Sequence, residues 1–149
     1  KITSTADPSR KMSKSAGEKH YISLFSDSDK IRKQVRSAVT DTGENTGGEM
    51  SPGVKNLFEL LKACEKTETY TALKADYDAG NLKYAPLKEA VAEALVEISE
   101  TVRSKRAELN TRKKEVKEEI KASSAQIRER AQHTLRNVKE LSGLLNVKY

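Results

Sequence analysis

The chain has 149 residues, a length that fits one domain or two small ones. Hydrophobic residues make up 36% and charged residues 34%, and seven Gly with three Pro are too few for a turn-rich β-sandwich. The single cysteine, Cys64, excludes an intrachain disulfide and favours a reducing, cytoplasmic location. Apolar runs are too short to span a membrane, and the distant His20 and His133 predict no metal site.

Positive charge is concentrated in the second half of the chain. The net charge is +6, and residues 83–149 hold 15 basic against 10 acidic side chains, whereas residues 1–82 hold 13 against 12. This asymmetry favours a polyanionic partner for the C-terminal part. A solvated helix surface with i,i+4 ion pairs explains the same charges equally well.

The first 20 residues have no helical periodicity. Lys1–Thr5 has the pattern of the end of a β-strand, and Asp7-Pro8 and Ala16-Gly17 are turn signals. Because the chain begins at Lys1 without Met or a signal peptide, we expect a piece of a longer protein. A second polar, glycine-rich loop is predicted over residues 41–51.

Apolar spacing beyond this region predicts a nearly all-α helical bundle. The second helix has the clearest start, with Ser51 at the cap position and Pro52 at the first helical position. The first helix is expected to be capped by Ser26 or Ser28. The predicted helices cover about Asp29–Thr40, Pro52 to Cys64, Glu68–Ala79 and Pro86–Leu109, with a break at Asn110-Thr111 and one or two further helices from Val116 to Leu141.

The segment Lys11-Met12-Ser13-Lys14-Ser15 is the sharpest feature for chemistry. Two lysines three residues apart, with the small hydroxyl residues Ser13 and Ser15 beside them on a loop between Pro8 and Gly17, suit a mobile lid. Two ammonium groups can follow phosphate charge as a bond breaks. An ordinary basic loop remains the alternative at this level.

The same string is the signature loop of class I aminoacyl-tRNA synthetases, and its surroundings resemble the tryptophanyl-tRNA synthetase family across the whole chain. Tyrosyl-tRNA synthetases share the architecture, but their loop often departs from this string. This chain itself departs from many family members after Ser15, where Ala16-Gly17-Glu18 replaces an acidic continuation. The segments that carry the resemblance are Ile2–Ser4, Asp7-Pro8, Lys11–Ser15, Ile31–Lys33, Ala38–Asp41, Ser51–Leu57, Leu87–Leu95 and Ala131–Val138.

The resemblance implies a fold and an activity for the full-length protein. Residues 1–25 would be the end of a Rossmann-type catalytic domain with the signature loop, and residues 26–149 a helical anticodon-binding domain. The full-length protein, a homodimer in the family, would use ATP and Mg²⁺ to convert L-tryptophan to tryptophanyl-adenylate and pass it to tRNA(Trp). This part alone would be inactive.

The resemblance also implies roles for individual residues. Lys11 and Lys14 would be catalytic, neutralising the triphosphate as pyrophosphate leaves. The nucleotide would in addition contact Met12, the hydroxyl or backbone groups of Ser13 and Ser15, and the backbone of Ile2, which would lie against the adenine.

A tRNA-binding surface is predicted separately, from the densest positive stretch of the chain. Residues 103–117 contain seven basic and two acidic side chains. The alternative is a solvated helix end enriched in cations by the helix dipole. For the whole chain, a helical RNA-binding module without catalysis and a purely structural bundle stay open. The residues predicted to bind tRNA are Arg103, Arg106, Arg112 and Lys113.

Overall fold

Five α-helices make up most of residues 1–41 and 49–144, the part of the chain that the computed structural model describes. Extended pairing within these ranges is limited to one antiparallel bridge between Thr3 and Lys11. The predicted all-α class is therefore confirmed. None of the described helices is long and apolar enough to cross a membrane. The helices are α1 (Ser28–Arg36), α2 (Pro52–Ala63), α3 (Thr67–Asp78), α4 (Tyr84–Thr111) and α5 (Lys113–Leu141), with single 3₁₀ turns at Lys14–Ala16 and Glu18–His20.

The chain divides into two compact units, Lys1–Lys105 and Arg106–Tyr149. The first unit contains the apolar core, in which α1, α2 and the first half of α4 meet. The expected boundary between residues 25 and 26 divides the chain by function, into the end of a catalytic domain and an anticodon-binding domain. It stays a prediction. The most deeply buried apolar side chains, each at most 1% exposed, are Ile31, Val35, Val54, Leu57, Leu61, Leu87, Val91 and Ala92.

Helix α1 is shorter than its apolar spacing predicts. Asp27 caps it by accepting the Lys30 amide N–H at 2.8 Å, so the prediction of a serine cap was wrong. The helix ends at Arg36 rather than Thr40. Val39 instead donates its N–H to the Thr5 carbonyl at 2.8 Å, a contact outside the helical ladder. A tertiary hydrogen bond thus overrides the helical pattern of these residues.

Helix α2 starts as predicted, with Ser51 accepting the Val54 N–H and Pro52 as its first residue. Its first turn lies directly on the backbone of residues 39 and 40. A Cβ added to Gly53 would come within 2.2 Å of the Val39 carbonyl oxygen and 2.7 Å of the Thr40 oxygen. Only glycine fits this approach without a shift of the backbone.

The two long helices join at Arg112, whose φ of −119° and ψ of 35° interrupt the helix close to the predicted break. Helix α5 then continues unbroken to Leu141. Its apolar series has the expected helical spacing, yet no residue of α5 is buried and Ile127 is 67% exposed. The described part of the second unit contains, besides α5, little more than the last turns of α4, which are too short to cover 29 helical residues. Residues 42–48 of the predicted loop lie outside the described residues.

Candidate functional site

The predicted signature segment begins on one arm of a narrow hairpin. Lys11 pairs with Thr3 in the antiparallel bridge. Two of the residues predicted to contact a nucleotide, Ile2 and Met12, flank this pair and are hydrogen-bonded to each other through their backbones. The flanking hydrogen bonds run from Ser4 N–H to the Arg10 carbonyl (2.9 Å) and from Met12 N–H to the Ile2 carbonyl (3.4 Å).

The turn of this hairpin is closed by Asp7. Its carboxylate accepts both the hydroxyl (2.6 Å) and the amide N–H (3.2 Å) of Ser9, and its carbonyl accepts the Arg10 N–H at 3.1 Å. The Ser9 hydroxyl in particular keeps the pKa of Asp7 below its ordinary value. The turn therefore has a preferred shape even though it is exposed.

Buried hydroxyl groups attach the hairpin to the segment that follows the signature loop. Ser4, 1% exposed, accepts the N–H groups of Ala6 and Asp7 and lies 2.9 Å from Nδ1 of His20. Thr5, 4% exposed, donates its hydroxyl to the Lys19 carbonyl at 2.7 Å. Both ends of the loop are thus fixed at one place.

Lys14 lies on a short 3₁₀ turn, Lys14–Ala16, between these fixed ends. The Ser13 and Ser15 hydroxyls are hydrogen-bonded to each other at 2.8 Å. The Lys14 ammonium lies 5.9 Å from the centre of the Tyr21 ring, within cation–π range. Gly17 then turns the chain at a φ of +108°, a conformation that favours glycine.

This arrangement fits a polyphosphate better than a metal ion. Lys11 and Lys14 are both exposed, and the five residues from 11 to 15 contribute ammonium and hydroxyl groups but no carboxylate. Among the described residues, no cluster of three or more His, Cys, Asp or Glu side chains could hold a metal. Ammonium groups on a fixed hairpin and a short turn can stabilise negative charge that develops on phosphate oxygens.

Sequence reasoning missed the residues that support this segment from outside. Asn56 on α2 hydrogen-bonds both backbone groups of Thr3, and Gln34 on α1 donates to the carbonyls of Glu18 (3.0 Å) and Tyr21 (3.2 Å). Neither residue has a periodic or motif signal of its own. Asn56 lies in a segment that carries the family resemblance, but the contact spans 53 residues and only the fold reveals it.

The residues predicted to bind tRNA are exposed but do not belong to one unit. Arg103 lies on α4 in the first unit, whereas Arg106, Arg112 and Lys113 belong to the second. Arg103 contributes, after the Lys30 backbone hydrogen bond, to lowering the pKa of Asp27. Arg112 is the residue before α5 and pairs with Glu115 at 3.0 Å. Their role in RNA binding stays a prediction.

Comparison with known proteins shows which family this chain is similar to. Residues 1–100 match the family model described as tRNA synthetases class I (W and Y). A tryptophan–tRNA ligase of Clostridium perfringens is 36% identical over 147 residues, 97% of this chain and 43% of the relative. Ligases with the same name from Wolinella succinogenes (31% over 146 residues, 97% and 44%) and Porphyromonas gingivalis (30% over 138 residues, 92% and 42%) also match. The chain thus spans less than half the length of these relatives, and it belongs to the class I tryptophanyl- and tyrosyl-tRNA synthetase family.

Proposed function

We propose that this chain is the C-terminal part of a tryptophan–tRNA ligase. The observation that carries the proposal is the pair of exposed lysines, one fixed on the hairpin at Thr3 and one on the turn beside Tyr21. The three relatives described above, all named tryptophan–tRNA ligases, favour tryptophan over tyrosine as the amino acid. The full-length protein activates L-tryptophan with ATP and transfers it to tRNA(Trp), acting in the cytoplasm as a homodimer.

Lys11 and Lys14 act on the triphosphate in this proposal. Their ammonium groups balance the negative charge that builds up on the β- and γ-phosphates as pyrophosphate separates from the adenylate. Ile2 and Met12 place backbone groups beside the nucleotide, and Ser13 and Ser15 supply hydroxyls. Mg²⁺, when bound with ATP, shields phosphate charge, and we assign its protein ligands to the part of the enzyme outside this chain.

The second half of the proposal concerns tRNA. Arg103, Arg106, Arg112 and Lys113 contact its phosphates, and residues 26–149 act as the anticodon-binding domain. The support for this half is the exposure of these four cations and the net charge of +5 over residues 83–149 (15 basic minus 10 acidic). In this proposal the amino-acid pocket belongs to the part of the enzyme outside this chain, so this chain alone is expected to catalyse no activation.

The decisive measurement is amino-acid-dependent ATP–pyrophosphate exchange by the full-length protein. Exchange with tryptophan supports the proposal, exchange with tyrosine alone changes the amino acid, and exchange with neither leaves a non-catalytic RNA-binding module. Lys14→Ala is expected to slow exchange by about 10²–10³-fold, the usual cost of removing one charged group that stabilises a transition state, while tryptophan binding persists. Lys11→Ala should act in the same direction.

Lys19→Ala is the matched control, because it removes an exposed ammonium group just beyond the signature segment. Its exchange rate should stay close to that of the wild type. Equal rates for Lys14→Ala and the wild type would show that the loop does not act on the triphosphate.

A further inference from the structure

Asn56 is a buried amide on a helix, yet both of its hydrogen bonds leave the helix. The side chain is 5% exposed on α2. Its Oδ1 accepts the Thr3 N–H at 2.9 Å, and its Nδ2 donates to the Thr3 carbonyl at 2.9 Å. The amide therefore binds both backbone groups of a single residue in the hairpin.

The N–H and C=O of Thr3 are available to Asn56 because they are not used in the pairing of the two hairpin arms. The backbone bonds between the arms are made by the neighbours of the Thr3–Lys11 pair, from Ser4 to Arg10 and from Met12 to Ile2. In an antiparallel pair of this kind, the N–H and C=O of the central residue point to the opposite edge. Asn56 occupies that edge as a neighbouring strand would.

The chemistry of the site is specific for an amide. One buried position must offer an acceptor to the Thr3 N–H and a donor to the Thr3 carbonyl, and leaving either group unpaired is costly. Aspartate at this position keeps the acceptor but sets a negative carboxylate oxygen against the Thr3 carbonyl. Leucine removes both partners.

The helix that carries Asn56 is itself fixed to the same part of the molecule. Gly53 lets α2 approach the carbonyls of Val39 and Thr40, and the Val39 N–H donates to the Thr5 carbonyl at 2.8 Å. The hairpin arm is thus attached to the helical part of the first unit at residue 3 and at residue 5. Movement of α2 is therefore linked to the position of Lys11 through Thr3 and its neighbours in the hairpin.

We infer that Asn56 is a positioning residue for the proposed reaction: by holding Thr3 on its outer edge, it fixes Lys11 on the inner edge against the triphosphate. The inference rests on the proposed function. It assigns to Asn56 an effect on how fast the bound triphosphate reacts, in addition to its effect on stability. The displacement of a reacting group by about 1 Å can cost roughly 10²-fold in rate, which sets the scale of the expected effect.

The test compares Asn56→Asp with Leu60→Ala in the full-length protein. Leu60 is a buried side chain of the same helix, 6% exposed, whose loss removes no hydrogen bond to Thr3. Three quantities are measured: the kcat of tryptophan-dependent exchange, the KM values for ATP and tryptophan, and the hydrogen exchange of the Ser4 and Met12 amides. If Asn56→Asp gives no soluble protein, Asn56→Ser, which removes the paired hydrogen bonds with a smaller polar side chain, replaces it.

A positioning role predicts that the Asn56 variant loses kcat by about 10-fold to 10²-fold, keeps its KM for tryptophan, and exposes the Ser4 and Met12 amides to faster exchange. Leu60→Ala should lower the unfolding temperature while retaining kcat. A loss of stability without a loss of kcat in the Asn56 variant, or equal losses of kcat in both variants, would overturn the inference. If the wild-type protein shows no exchange with any amino acid, the proposed function fails, whereas unchanged Ser4 and Met12 amides in an active enzyme reject Asn56 alone.

Discussion

Asp27 shows how one side chain connects local structure to pH dependence. Its carboxylate caps α1, and the hydrogen bond from the Lys30 amide, aided by the charges of Arg103 and Lys30, lowers its pKa below the ordinary value of 3.8. A carboxyl group whose pKa is lower in the folded state stabilises the protein above its unfolded pKa. That contribution disappears as the pH falls through the folded pKa.

Asp27→Asn should separate the charge from the cap, because asparagine keeps a side-chain oxygen for the Lys30 amide but does not titrate. We expect the unfolding temperature of the wild type to fall more steeply than that of Asp27→Asn as the pH is lowered from neutrality to below 3.8. The other carboxylates titrate in both proteins and cancel in the comparison. Parallel curves would mean that the Asp27 charge contributes no stability.

At the same scale, the sequence predicts the lysines of the candidate site but not the residues that hold the hairpin and the loop in place. Lys11 and Lys14 stand in a contiguous string whose chemistry is evident without a fold. Ser4, His20 and Asn56 act through contacts that span 16 and 53 residues, and a serine, a histidine or an asparagine has no periodicity to reveal it. Burial of polar side chains is decided by the fold.

At the scale of elements, the first turn of α2 lies close against the backbone of residues 39 and 40. Gly53→Ala introduces a methyl group into a space bounded by two backbone carbonyls, which cannot move aside as a flexible side chain could. We expect Gly53→Ala to lower the unfolding free energy by about 1–3 kcal/mol, the usual cost of overpacking. Denaturant titration measures it.

Lys55→Ala is the appropriate comparison for Gly53→Ala. It lies two residues further along the same helix and is exposed, so its effect should stay within about 0.5 kcal/mol. Equal unfolding free energies for Gly53→Ala and Lys55→Ala would show that α2 does not need this close approach.

Helix boundaries are predictable where the chain itself provides the signal. Ser51-Pro52 correctly predicts the start of α2, since the missing N–H of proline costs nothing there. Ala38 and Val39 continue the apolar spacing of α1, but the Val39 N–H donates to the Thr5 carbonyl instead, and no local pattern carries that information. The exposure of Ile120 and Ile127 was likewise not predictable from spacing. The spacing of apolar residues indicates which side chains share one face of a helix, but not whether another part of the protein covers that face.

At the scale of the whole molecule, the excess of basic side chains lies in the second half of the chain. The proposed tRNA contacts can be tested by reversing some of these charges. Replacing Arg106 and Arg112 by Glu should weaken tRNA binding and spare ATP–pyrophosphate exchange, because these residues lie outside the hairpin. The log–log dependence of affinity on salt should flatten by roughly 0.7 for each phosphate of single-stranded RNA that is no longer neutralised. Titrations at several salt concentrations measure both effects.

A control with the same change in charge is provided by Arg128 and Arg130, which are exposed on α5. Their replacement by Glu should alter binding less and leave the salt slope closer to that of the wild type. Equal losses of affinity in both double variants would assign the effect to net charge alone and move the specific interactions elsewhere.

The contact between Ser51 and Thr40 has a consequence for the length of the chain. The Ser51 hydroxyl donates to the Thr40 carbonyl at 2.5 Å, so two residues 11 positions apart in the sequence are held together. Ten residues, 41–50, separate the two in sequence. The sequence predicts a polar, glycine-rich loop over this segment, and doubling the length of a loop whose ends are held together costs only about 0.6 kcal/mol in closure entropy. We therefore expect that a fluorophore-labelled peptide or an affinity tag can be inserted between Thr40 and Ser51, where it would report on α2 without altering either terminus.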